Sequence, residues 1–133
     1  MATPLLRVVL GLTGLALAVI ALNTALGGAG TLGWQFPSGT LTAADPLDAA
    51  RHDNNARFFA GVFVALGLVI ASGALRFSQM RSAIVVSLLA TAIGGAFRLL
   101  QSGYSPVTDT QLLPSLIAEL VAAPLLAYWV ARS

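Results

Sequence analysis

RHDNNARFFAGVFVALGLVIASGAL, residues 51–75, is the stretch on which the fold turns. It opens on Arg51, His52, Asp53, Asn54, Asn55 and Arg57, and from Phe58 to Leu75 it carries no charged or amide side chain. A membrane strand would alternate apolar with polar residues over roughly ten positions, whereas this run is continuous and about twice that length. At a rise of 1.5 Å per residue, such a run crosses a hydrocarbon core of roughly 30 Å. It reads as a spanning helix with a polar collar at one end.

Three further runs of similar length lie near Val8 to Leu26, Ala83 to Leu100 and Leu113 to Val130. Apolar residues make up 57% of the 133, charged residues 9%, and the mean hydropathy is +0.86, which excludes an ordinary water-soluble domain. The expectation is an all-α membrane protein, a single domain formed as a four-transmembrane-helix bundle. The first run follows an arginine, as a signal peptide does. It is longer than the usual signal core and no cleavage site follows, so it is expected to stay in the protein. There is no cysteine, which excludes disulfides, thiolate nucleophiles and cysteine-ligated metals. All seven basic residues are arginines scattered along the chain, so the net +2 gives no polybasic tract for nucleic acid.

Four spans place the N-terminus, the Arg76 to Ser82 turn and the C-terminus on one side, with Arg7, Arg76, Arg81 and Arg132 and no acid. Basic residues collect in cytoplasmic loops, so both termini are expected to be cytoplasmic. The other side then receives the Gln101 to Leu112 loop and a long extracytoplasmic first loop, about Gly27 to Asp53, with all four aspartates. That loop carries Trp34 and Phe36, aromatics suited to the headgroup level. Asp45-Pro46 is a helix-start pair, an N-cap side chain before proline, and predicts a short surface helix leading into the second span. Tyr128 and Trp129 fit an aromatic belt beside Arg132 at the opposite face.

Inside lipid, helices associate largely by close approach at small residues. Ala83, Ser87, Thr91 and Gly95 follow one another at spacings of four on the third span. Gly61, Ala65 and Gly73 repeat the idea on the second, and Gly14 with Ala18 on the first. Pro124 deprives a carbonyl one turn back of its donor and is expected to kink the fourth span.

In this topology Arg57, Arg98 and Glu119 come from three spans yet meet at one level. A charge within a spanning segment is costly and faces the bundle interior, pairs, or reaches the interface. A glutamate cannot stretch to the interface as arginine does, so Glu119 is expected to pair with Arg98. Asp53 and Asn54 are expected to cap the second helix and hold Arg57. Two readings stay open for this cluster: a structural clasp, or a site whose arginine forks also take a phosphate or carboxylate. Asn23, Thr24, Ser102 and Tyr104 stand at the same level and read as interfacial.

Catalytic chemistry finds little footing. His52 and Asp53 adjoin, but no motif marks a serine or cysteine nucleophile. Asp45, Asp48, His52 and Asp53 match no calcium-loop spacing, and the Gly27-Gly28 and Gly94-Gly95 pairs lack the flanks of a phosphate-cradling loop. No enzyme activity, metal or cofactor is expected.

DNNARFFAG at the start of the second span, GGAFR at the end of the third and Glu119 five residues before Pro124 together resemble a family of small four-helix bacterial membrane proteins classed as a domain of unknown function, similar in outline to DoxX-like proteins. The resemblance covers nearly the whole chain and implies that Asp53, Asn54, Arg57, Gly61, Gly94, Gly95, Arg98, Glu119 and Pro124 are its signature positions. In size, the chain is also similar to an accessory subunit of the actinobacterial MCE lipid-uptake transporter. The implied role is a non-catalytic accessory or assembly subunit of a larger membrane protein complex in the bacterial inner membrane, surrounded by membrane lipids. The alternative is a small lipid-binding or transport protein built around Arg57, Arg98 and Glu119.

Overall fold

The computed structural model of the chain describes residues 2–31, 46–100, 107 and 112–133, and all regular structure among them is helical. Helix α1 spans Pro4–Gly27; the Thr3 hydroxyl accepts the Leu6 N–H at 3.2 Å and Pro4 fills the first turn, where no N–H is needed. It ends at Gly28, whose φ of 75° is open to glycine and strained for other residues, and a 3₁₀ turn follows over Gly28–Thr31. Thr31 secures that turn by donating to the Gly28 carbonyl, and Thr24 donates to the Thr31 carbonyl, both at 2.9 Å.

Helix α2 runs from Pro46 to Leu75. Its 30 residues measure about 45 Å, well beyond the roughly 30 Å of a hydrocarbon core. The helix expected to lead into the second span is therefore continuous with it, starting at Pro46, while Asp45 lies outside the described residues. Arg76 alone separates α2 from α3, which spans Phe77–Arg98. The turn expected from Arg76 to Ser82 thus shrinks to one residue. Gln79, Met80 and Arg81 form helix readily; Gln79 and Arg81 stay exposed on it while Met80 packs against the core. The fourth span, Leu113–Arg132, contains α4 (Leu113–Ile117), a π-helical turn (Ala118–Ala122) and α5 (Ala123–Arg132). Pro124 follows that wide turn, in which the Ala123 N–H reaches back to the Ala118 carbonyl. What stands beside the proline is thus a local change of helical pitch.

All four helical segments are long and apolar enough to cross a membrane. Leu6 and Leu10 of α1, Ile70 of α2, Phe77, Ile84 and Leu88 of α3, and Leu126 and Val130 of α5 form one buried cluster. This core gathers both termini and the α2–α3 turn at one end of the bundle, called here the terminal end; the opposite end is the loop end. Arg81 donates to the Ala131 carbonyl and ties α3 to the last turn of α5.

Helices α1 and α2 lie closest. A Cβ on Gly67 would stand 2.6 Å from the Ala18 nitrogen and 2.7 Å from the Gly14 carbonyl oxygen, and one on Gly14 would overlap the Gly67 and Ala71 backbone. Gly11 continues the register against Ala74 at 3.4 Å. Gly61 has no such part. A Cβ there would meet nothing within 4 Å, because the position turns away from α1. Ala65 is also exposed, whereas Gly73 is buried, with Ile84 of α3 against it. On α3, Ser87, Thr91 and Gly95 are buried at spacings of four, with the Thr91 hydroxyl bonded to the Ser87 carbonyl at 3.0 Å.

Candidate functional site

Two polar clasps occupy the loop end. In the first, Arg57 Nε donates to Asp53 Oδ2 at 2.7 Å, one turn earlier on α2. The other carboxylate oxygen, Oδ1, accepts the Ala29 N–H at 2.8 Å. Arg57 Nη1 donates to the Leu26 carbonyl at 2.6 Å and to that of Ala25 at 3.4 Å. A cation thus sits on the carbonyl end of α1 and an anion on the amide of the turn beyond it, each matching the local backbone charge. Gly28 makes room: a Cβ there would fall on the Asp53 carboxylate and 2.8 Å from Arg57 Nη2.

This geometry corrects one expectation. Asp53 does not cap α2, because the helix starts at Pro46 and Asp53 lies two turns inside it, facing α1. Asn54 is exposed and has no side-chain hydrogen bond among the described residues, and His52 is exposed as well. Arg51 pairs with Asp48 at 3.0 Å on the outer face of the same helix, a surface contact of small worth.

The second clasp joins α3 to the fourth span. Arg98 Nη2 lies 3.2 Å from Glu119 Oε1, and Arg98 Nη1 donates to Ser115 Oγ at 3.1 Å. The Ser115 hydroxyl in turn donates a hydrogen bond to the Leu112 carbonyl at 2.8 Å. Glu119 is carried by the π-helical turn, and its Cβ is packed so near α3 that a Cβ on Gly95 would stand 2.6 Å from it. The Arg98 side chain is 43% exposed and that of Glu119 only 11%, so the pair is lopsided: the cation reaches outward while the anion stays within the bundle. Glu119 Oε2 is fully buried and has no hydrogen-bond partner. A buried carboxylate oxygen without a donor is costly, which marks this as the least satisfied point of the described structure.

The structure brings Asp53 to Arg57 and Arg98 to Glu119, but as two clasps serving different helix pairs. Sequence reasoning passed over Ser115, Gly28 and Gly67. Ser115 stands one turn before Glu119, a spacing that puts both on one helix face. Gly67 and Ala71 repeat the four-residue spacing of Gly14 and Ala18. Chemically, the clasps position helices and present two half-exposed arginine side chains, Arg57 and Arg98. The Ser115 oxygen accepts from a cation and its hydroxyl donates to a backbone carbonyl, so neither contact activates it as a nucleophile.

The chain belongs to the family described as a domain of unknown function (DUF4345), which it matches over residues 5–130. No curated protein and no solved structure matches it.

Proposed function

We propose that this member of the family is a non-catalytic accessory or assembly subunit of a larger complex in the bacterial inner membrane, with its terminal end in the cytoplasm. One observation carries the reading. Within the apolar stretch of each span only 22–28% of the residues are buried by the chain itself, while the charged groups of both clasps are largely committed to partners inside it. The helix faces are what the protein offers its surroundings, and side chains such as Leu12, Val19, Val86, Ile93 and Leu125 on them are more than half exposed. Faces of this kind suit lipid and the helices of another membrane protein alike. The size likened above to an accessory subunit of a lipid-uptake transporter makes a lipid-transport assembly the complex of choice. The arginines at the terminal end support the cytoplasmic placement.

Purification in a mild detergent from native membranes tests the subunit reading. A stoichiometric membrane partner is expected to co-migrate with the protein. Migration alone, at the mass of this chain or its homo-oligomer, would overturn it.

The unpartnered Oε2 of Glu119 and the half-exposed Arg98 favour a second reading, a small lipid-binding or transport protein with a polar site at the loop end. Arg98→Gln separates the two. Loss of lipid binding with insertion and fold intact supports the binding protein; loss of the fold supports a purely structural clasp.

A further inference from the structure

The acidic side chains of the chain are Asp45, Asp48, Asp53, Asp109 and Glu119, and none belongs to the segments that form the terminal end. Four arginines do. Arg81 is engaged with the Ala131 carbonyl, and Arg132 lies over the Tyr128 ring, 5.2 Å from its centroid. Arg7 and Arg76 are exposed, and neither side chain has a partner among the described residues. The register that sets Gly11 against Ala74 and Gly14 against Ala71, carried one turn further, brings Arg7 level with the α2–α3 turn where Arg76 stands. Two donor-only groups therefore flank the end of the α1–α2 pair, and the complement of such a pair is an acceptor-only anion.

Exposed apolar side chains adjoin both arginines along the chain: Val8, next to Arg7, is 58% exposed and Leu75, next to Arg76, 83%, so an anion held there would border an apolar wall. From this juxtaposition we propose that Arg7 and Arg76 bind the phosphate of an anionic phospholipid headgroup, whose acyl chains lie along the exposed faces of α1 and α2. A phosphate matches the guanidinium fork, and the apolar wall favours a lipid over a free ion. This site lies at the opposite end from both clasps and stands whether or not the subunit reading holds.

Nanodiscs containing equal amounts of phosphatidylglycerol and phosphatidylcholine provide the test, with retained lipid measured by native mass spectrometry of the released protein. The wild type is expected to retain phosphatidylglycerol preferentially, and the Arg7→Gln/Arg76→Gln variant to lose about fivefold of that preference per arginine removed. Arg7→Lys/Arg76→Lys is expected to keep most of it, and Arg51→Gln, at the far end of the molecule, all of it. Equal retention of the two lipids by the wild type, or an unchanged preference in the double glutamine variant, would overturn the proposal. So would displacement of the lipid by millimolar inorganic phosphate, which would assign the site to a free ion. Should the double variant fail to fold by circular dichroism, the salt dependence of the wild type decides: a preference undiminished at 1 M salt is not electrostatic and overturns the proposal.

Discussion

Gly28 and Gly95 each leave room for an acidic side chain of another helix, and neither does so by flexibility alone. At Gly28 both the backbone angle and the Asp53 carboxylate exclude a side chain, so Gly28→Ala is expected to destabilise the protein by about 1–3 kcal/mol. At Gly95 the obstacle is the Glu119 side chain, and Gly95→Ala is expected to cost a similar amount, about 1–3 kcal/mol, by forcing the clasp apart. Gly30→Ala is the control, since a Cβ there meets nothing within 4 Å; its effect should stay within about 0.5 kcal/mol. Thermal unfolding in a single detergent compares all three. The pairing of Arg98 with Glu119 was legible in the sequence because burying an isolated carboxylate in a span is prohibitive. The pairing of Asp53 with Arg57 was legible as well, but the contact of Asp53 with α1 was not. A helix start at Pro46 leaves no trace at residue 53, and the amide that Asp53 accepts belongs to a turn 24 residues earlier in the chain.

Among the elements, α1 and α2 form a hairpin whose backbones approach through Gly14, Ala18, Gly67 and Ala71. Gly67→Leu is expected to separate the two helices at a cost of about 3 kcal/mol or more, because the obstruction is backbone and cannot rotate away. Gly61→Leu, less than two turns away on the same helix, is expected to be tolerated. Unfolding with rising dodecyl sulfate would rank them, and equal midpoints would contradict the packing described. The four-residue spacing of small residues was visible in the sequence, but the face was misjudged at Gly61. Glycine and alanine are so common here that spacing alone offers several stripes, and only the partner helix chooses among them. The helical nature of all four segments was legible from continuous apolar runs. Their ends were less so, since α2 and α3 extend through polar residues that favour helix as readily as loop.

Taken as a whole, the molecule concentrates its largest fully buried side chains at the terminal end and its two polar clasps at the loop end. A chain without cysteine allows the proposed orientation to be read directly. With a membrane-impermeant maleimide on spheroplasts, His52→Cys is expected to label while the membrane is intact and Ser133→Cys only after permeabilisation; the reverse pattern would invert the topology.

The two clasps divide cleanly along the chain: Asp53, Arg57 and the backbone of residues 25–29 precede α3, whereas Arg98 ends α3 and Ser115 and Glu119 follow it. During synthesis, the first hairpin would therefore emerge from the translocon already holding the counter-ion of Arg57. Arg98, by contrast, must wait beside the insertion machinery until the last helix arrives with its glutamate, which makes the interval between those two arrivals the vulnerable moment of biogenesis.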